Sequence, residues 1–141
     1  MSDNQRYFYQ QINQSIGEAS YLPFLPITLI NNSNSLNASG LLDTGATVNV
    51  LPYHIGENLG LDWDSQTISI NLTGNLANYE AKAVLLKGQI NNLSPLKLAF
   101  TWTKADHISL ILGQVNFFLE FDVCFYRSQL FFEVKPKRSK G

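Results

Sequence analysis

Alternation of apolar and polar residues along the chain predicts a protein built mostly of β-strands. Residues 67–72 alternate strictly, and residues 96–102 do so again, which is typical of strands with one buried face. Residues 21–30 are rich in β-branched and apolar side chains and predict another strand. Pro23 and Pro26 favour a sheet edge for the start of that strand, because proline donates no hydrogen bond to a neighbouring strand.

Short turns and helices separate the predicted strands. Asparagine, glycine and serine favour turns because they tolerate unusual backbone angles or bond to their own backbone. On this basis we predict turns at residues 31–37, 73–75 and 91–92, strands at 76–86 and 109–112, helices at 52–60 and 114–121, and a closing hairpin of 122–125 with 130–134. The pattern predicts an all-β fold with one or two short helices and no internal repeat.

Polar composition divides the chain into three parts. Residues 1–20 are rich in Gln, Asn and Ser, and we interpret them as a polar N-terminal leader that is loose or docks late. Residues 21–134 hold the predicted strands and form the domain, and residues 135–141 form a basic tail. A chain of 141 residues, 45% of them hydrophobic, is long enough for one domain with a real core.

Net charge and the lengths of apolar runs exclude several function classes. Ten basic residues against 11 acidic ones give a net charge of −1, which argues against binding of nucleic acid. Every apolar run is shorter than the roughly 18 residues that a membrane helix needs. Residues 1–6 lack the charged and apolar regions of a signal peptide. We therefore expect a cytoplasmic protein that does not span a membrane.

The scarcity of cysteine and histidine narrows the possible chemistry. Cys124 is the only cysteine, which excludes an intrachain disulfide and a cysteine-based zinc site. His54 and His107 are the only histidines, and we expect both in surface or turn positions. We therefore expect no metal and no cofactor. Cys124 lies on an alternating strand and is predicted to be a buried apolar residue.

The most informative stretch is an acid that follows an apolar strand. Asp43 comes directly after Leu41 and Leu42, and Thr44 and Gly45 then favour a tight loop whose backbone approaches a ligand closely. This pattern places a carboxylate at the floor of a site. A turn aspartate after a strand is an equally simple interpretation of the same residues.

A second apolar strand ends in glycine 70 positions further on, at Leu110-Ile111-Leu112-Gly113, just before the predicted helix. Alone, this glycine indicates close packing and nothing more. An Asp-Thr-Gly-Ala loop, a hairpin tipped near Gly74 and an Ile-Leu-Gly strand before a short helix nevertheless come in the order of a known architecture.

In these features the chain resembles the retropepsin-like aspartic proteases over residues 22–134. Residues 41–46 match the catalytic loop of that family, the hairpin tipped near Gly74 matches the flap, and residues 111–113 and 117–123 match the segment that follows. The resemblance implies a closed β-barrel with a flap hairpin and one short C-terminal helix. It also implies aspartic endopeptidase activity in a homodimer whose active site lies on the two-fold axis.

The resemblance further implies roles for individual residues. These are Asp43, Thr44 and Gly45 as catalytic residues, Ala46, Thr73, Gly74, Asn75 and Leu76 as substrate-binding residues, and Ile111, Leu112 and Gly113 as structural support. Thr44 would bond across the dimer. The flap would close over an extended polypeptide that is cleaved between apolar residues.

Chemistry gives an independent reason for the dimer. Aspartic proteases as a class need two carboxylates about 3 Å apart that share one proton. The chain has a single Asp-Thr-Gly, and Asp62 and Asp64 lack a glycine loop and are interpreted as surface turn acids. A two-fold dimer would supply the second Asp43.

Two departures from the family keep other functions open. Many members carry an acid and a base where this chain has Thr47 and Gln114, so a neutral pair is expected in place of an ion pair. Their flaps are often richer in glycine than this one, which has Gly74. One alternative is a catalytically weak dimer that binds peptides or acts as an adaptor. Another is a β-rich structural domain in which Asp43 only caps a turn and the chain stays monomeric.

Overall fold

The computed structural model describes residues 5–12 and 20–138. Two short helices and a series of strands account for most of them. The strands are β1 (Gln5–Phe8), β2 (Gln10–Ile12), β3 (Ser20–Leu22), β4 (Phe24–Asn31), β5 (Asn34–Leu42), β6 (Asn49–Leu51), β7 (Ala81–Gln89), β8 (Leu96–Thr103), β9 (Leu110–Leu112), β10 (Phe121–Tyr126) and β11 (Phe131–Pro136). The helices are α1 (Tyr53–Asn58) and α2 (Phe117–Glu120).

Six strands close into a barrel in the order β4-β5-β9-β6-β8-β7, and β7 pairs back with β4. The pairs β5 with β9 and β6 with β8 are parallel, whereas the others are antiparallel. The predicted all-β fold with a closed barrel is therefore confirmed. The largest fully buried side chains are Trp102, Phe100, Phe117, Phe132, Leu25, Leu29, Leu51, Leu59, Ile90, Leu98, Leu112 and Val134.

The two ends of the described chain meet in a second sheet, in the order β1-β11-β10. The guanidinium of Arg6 donates two hydrogen bonds to one carboxylate oxygen of Glu133, and Tyr7 and Tyr9 both pack their rings against Phe132. Residues 5–8 of the predicted leader thus belong to this sheet, and residues 10–12 pair with β3 in a separate two-stranded sheet. Residues 1–4 and 13–19 lie outside the described residues, as does the end of the predicted tail from Ser139. The proposed three-part division of the chain remains a prediction.

Several predicted elements have different bounds. The strand predicted at 21–30 is interrupted at Pro23, and the turn predicted at 31–37 is only two residues long because β5 already begins at Asn34. Pro26 lies where β4 pairs with β5 alone, since β7 joins β4 only from Thr28 onward. The helix predicted at 114–121 shortens to α2, because the backbone of Gln114 bonds to a neighbouring loop instead.

Two predictions from alternation are wrong. Residues 67–72 form no regular strand but a single bridge, between Ser69 and Lys82, and Ile68 stays 61% exposed because no second layer covers it. Cys124 is exposed rather than buried. It lies opposite Glu133 in the sheet β1-β11-β10, which we call the terminal sheet, and Asp122 and Tyr126 on the same strand are exposed as well. Among the described residues, no helix is long and apolar enough to cross a membrane.

Candidate active site

The loop after β5 holds the Asp43 carboxylate in a fixed place. Leu42 ends the strand fully packed, and the backbone N–H of Asp43 donates to the carbonyl of Leu112 at 3.0 Å. Gly45 N–H donates to Asp43 Oδ1 at 3.0 Å, and Ala46 N–H donates to the Asp43 carbonyl at 3.1 Å. One carboxylate oxygen is therefore engaged by the loop itself. Asp43 is half-buried, whereas Thr44 and Gly45 are exposed.

The strand β9 supports this loop from the side. Leu110–Leu112 lies between β5 and β6, parallel to the end of β5 at Gly40–Leu42. Gly113 follows with no room for a side chain, since a Cβ there would come within 2.5 Å of the Val48 carbonyl oxygen and 2.8 Å of that of Ala46. A glycine is therefore required here because two backbone segments touch.

Gln114, which follows Gly113, forms hydrogen bonds to the loop that holds Asp43. Its side-chain amide donates to the Thr44 carbonyl at 2.8 Å, and its backbone N–H donates to the Ala46 carbonyl at 2.9 Å. Val115 N–H donates to the Thr47 carbonyl at 2.9 Å. The Gln114 side chain therefore bonds to the Thr44 carbonyl of the loop. A neutral pair between the side chains of Thr47 and Gln114 stays a prediction.

A buried asparagine that was not predicted as a site residue stabilises the same region by hydrogen bonds. Asn49 is fully buried, and its Oδ1 accepts the Gly113 N–H at 2.7 Å. Its Nδ2 donates to the Ala99 carbonyl at 3.0 Å and to Asn116 Oδ1 at 3.3 Å. Asn116 Oδ1 in turn accepts the Ala99 N–H at 2.9 Å. The available signal was a lone amide between apolar residues, at Val48-Asn49-Val50.

The segment predicted to be a flap is a loosely paired stretch that leads into the start of β7, residues 68–83, and we refer to it as the flap. Its two arms are joined by the Ser69–Lys82 bridge, which consists of two hydrogen bonds, from Ile70 N–H to the Ala81 carbonyl and from Ala83 N–H to the Ile68 carbonyl. Its tip is a short 3-10 turn over Gly74–Leu76 rather than a tight β-hairpin. Gly74 has φ +63°, a left-handed angle that favours glycine.

Loop and flap meet around an open pocket of about 180 Å³. Its lining residues are Gly45, Ala46, Thr47, Val48, Val50, Leu72, Thr73, Leu76 and Ile111. The structure therefore brings together five of the predicted site residues from three separate segments. Gly74 and Asn75 are exposed at the flap tip. The predicted site residues that do not line this pocket are Asp43, Thr44, Gly74, Asn75, Leu112 and Gly113.

Other titratable side chains have structural partners elsewhere. Asp62 accepts the Ser65 hydroxyl at 2.6 Å and the Asp64 N–H at 3.3 Å, so it caps a surface turn. His54 Nδ1 lies 2.9 Å from Asp106 Oδ1, and this hydrogen bond lowers the pKa of the Asp106 carboxyl. Within residues 5–12 and 20–138, no group of three or more His, Cys, Asp or Glu side chains could hold a metal ion.

Comparison with solved structures identifies the architecture. A retropepsin-like aspartic protease from Rickettsia conorii superposes with a TM-score of 0.62 at 14% sequence identity, and the match covers 94% of this chain and 92% of that one. The fold is retropepsin-like. The predicted resemblance is thereby confirmed at the level of the fold. No family model and no curated protein matches the sequence.

EIAV protease in complex with the inhibitor HBY-793 also matches this retropepsin-like chain. The match has 22% identity and a TM-score of 0.47, and it covers 73% of this chain and 88% of that one.

Proposed function

We propose that this chain is an aspartic endopeptidase that acts as a homodimer, with Asp43 contributed by each copy. The observation that carries the proposal is the position and hydrogen bonding of the Asp43 carboxylate in a retropepsin-like fold. This carboxylate is half-buried at the end of a core strand and is oriented by the Gly45 N–H at 3.0 Å. The residues that follow Asp43, from Gly45 onward, line a pocket together with residues of the flap.

The proposed reaction uses a carboxylate pair that binds one water and holds one proton. The ionised carboxylate takes a proton from the water as general base, and the water oxygen attacks the scissile carbonyl carbon. The protonated carboxyl polarises the carbonyl oxygen and then supplies the proton that the leaving nitrogen needs. The peptide bond is broken without a covalent enzyme intermediate.

The surface around Asp43 favours a second copy as the source of the partner carboxylate. Gly45 has no left-handed φ, and a Cβ there would meet only Asp43 Oδ1, at 3.4 Å, so the space over the loop is open. Val115, whose N–H bonds to the Thr47 carbonyl, is 50% exposed, and Leu119 in the following helix α2 is 60% exposed. Exposed apolar side chains next to an incomplete site are suited to a self-complementary interface.

The pocket between loop and flap supports a preference for apolar side chains in the substrate. Val48, Leu72, Leu76 and Ile111 all line it, and none of its lining residues is charged. A volume of about 180 Å³ suits one large side chain of an extended peptide. Backbone groups at 45–46 and at the flap would hold the peptide main chain, as strand-like binding requires.

The decisive experiment compares the wild type with Asp43→Asn on an unstructured protein substrate over a pH series from about 4 to 7, because a shared proton makes general acid and base catalysis depend on pH. We expect cleavage by the wild type alone, with a rate that rises faster than linearly with enzyme concentration, because the active species is a dimer. Equal cleavage by Asp43→Asn would overturn the proposal.

A second candidate function is peptide binding without catalysis by a retropepsin-like dimer. The flap motivates it, since a flap joined by a single bridge holds the site less firmly than its floor. This candidate predicts that the wild type binds an apolar peptide without turnover at every pH tested. A monomer at micromolar concentration that neither binds nor cleaves would leave only a structural role for Asp43.

A further inference from the structure

Two lysines face each other on the outside of the barrel, away from the proposed active site. Lys87 in β7 and Lys97 in β8 are direct cross-strand partners, and both are exposed. Like charges placed directly opposite each other on a sheet are destabilising. The ion pairs found among the described residues include neither lysine. The fold therefore carries a concentrated positive charge that no carboxylate in the described chain neutralises.

This lysine pair borders an open pocket of about 240 Å³. The pocket is lined by Ile30, Asn31, Asn32, Leu85, Leu86, Lys87 and Lys97. None of these residues is acidic, and Ile30 is the partner of Lys87 on the strand at its other side. The pocket shares no residue with the one between loop and flap, so its function can be judged independently of the proposed protease activity.

The chemistry of the lining points to an anion. Directly opposed residues have Cβ atoms about 5 Å apart, so two flexible lysine side chains can bring both ammonium groups to one bound anion. Lysine binds phosphate as a compact point charge with several donors. A bound oxyanion would turn the repulsion between the lysines into attraction toward a shared ligand. We propose that Lys87 and Lys97 form a binding site for a phosphate group.

The test is thermal unfolding of the full chain at pH 7 in increasing sodium phosphate, with sodium chloride at the same ionic strength as reference. A ligand that binds only the folded state raises the Tm with its concentration. We expect phosphate to raise the Tm of the wild type beyond chloride, and the Lys87→Gln/Lys97→Gln double variant to bind phosphate about tenfold more weakly or worse. Lys135→Gln is the matched control, because that exposed lysine lies opposite Asp122 in the terminal sheet and should leave the phosphate effect unchanged.

The double variant removes the repulsion between two facing ammonium groups. We therefore expect it to fold and to be at least as stable as the wild type at low salt. A parallel titration with phosphoserine distinguishes the two possible sources of the phosphate group, an organic phosphate and the free ion. Tighter binding of phosphoserine than of inorganic phosphate would indicate an organic phosphate, and equal binding would indicate the free ion. Equal effects of phosphate and chloride on the wild type, or an unchanged phosphate effect in the double variant, would overturn the proposal.

Discussion

The floor of the candidate active site is the Asp43 loop with Gly113, and its roof is the flap. The two are built in contrasting ways. At the floor, the backbone N–H groups of Asp43, Gly45 and Ala46 are all bonded, and Gly113 packs directly against two carbonyl groups. At the roof, a single bridge of two hydrogen bonds joins the arms of the flap, and the tip of the flap is exposed. The floor is enclosed by strands on both sides, whereas the roof is attached to the edge of one strand.

This difference has a thermodynamic consequence. Segments with few buried contacts open locally at a low free energy, whereas core segments open only with the whole domain. We expect changes in the floor to lower the free energy of global unfolding, and changes in the roof to affect mainly local opening. A cleft whose roof opens while its floor stays fixed suits the entry of an extended peptide.

The largest effect is expected for Gly113→Ala. The new methyl group would lie 2.5 Å from the Val48 carbonyl oxygen, and backbone cannot move away as a flexible side chain can. Overpacking of this kind costs about 3 kcal/mol of unfolding free energy, which urea denaturation measures. Gly45→Ala is the matched control, because its methyl group would make only an ordinary contact at 3.4 Å. Equal stability of the two variants would contradict the description of the floor as closely packed.

Removal of the buried amide should have the next largest effect. In Asn49→Ala, the Gly113 N–H and the Ala99 carbonyl both lose a partner. A buried polar group left without a partner costs about 1–3 kcal/mol, so we expect a loss of about 2 kcal/mol in urea unfolding. The control is Asn92→Ala at an exposed turn, expected to change stability by less than about 0.5 kcal/mol. A loss no greater than that of the control would show that the Asn49 network does not hold the floor.

The floor was largely predictable from sequence because its signals are local. An apolar run marks the end of β5, an acid follows it, and a second apolar run ends at Gly113. The amide network was missed, since a single Asn49 in an apolar strand shows no partner until Ala99 and Asn116 are brought beside it. The spacing of those partners along the chain, 50 and 67 residues, leaves no pattern in a local window.

The roof and the outer sheet were predicted less well, for a related reason. Alternation at residues 67–72 indicates that one face could be buried, but burial requires a second layer, and Ile68 stays 61% exposed without one. Cys124 follows the same logic on the terminal sheet. The pairing of β1 with β11 joins Arg6 to Glu133 across 127 positions, which local composition cannot reveal.

A change at the flap tip should have a smaller effect than either floor variant, and a more local one. Gly74→Ala places a side chain at φ +63°, where the strain is about 1 kcal/mol, while a Cβ there would meet nothing within 4 Å. We expect hydrogen exchange at the Ile70 and Ala83 amides, which join the flap arms, to speed up more than exchange in the barrel. Gly74→Asn should be milder, because asparagine tolerates this angle. Uniform acceleration across the barrel would mean that the roof is part of the cooperative core.

The smallest effect is expected from the loop between β8 and β9, which contacts both α1 and the flap segment. His107 contacts the ring of Tyr79 in the flap segment, and the adjacent Asp106 accepts hydrogen bonds from the side chain and backbone N–H of His54. The His54 side chain is the main cause of the lowered pKa of Asp106. A carboxyl whose pKa is lower in the folded state stabilises the fold at pH values above its unfolded pKa, and this contribution is lost as the pH falls through the folded pKa. The Tm advantage of the wild type over Asp106→Asn should therefore be full near neutral pH and vanish in acid. Because Asp106 is exposed, the advantage is small; if its loss also accelerates exchange at Ile70, the flap has a second anchor in this loop.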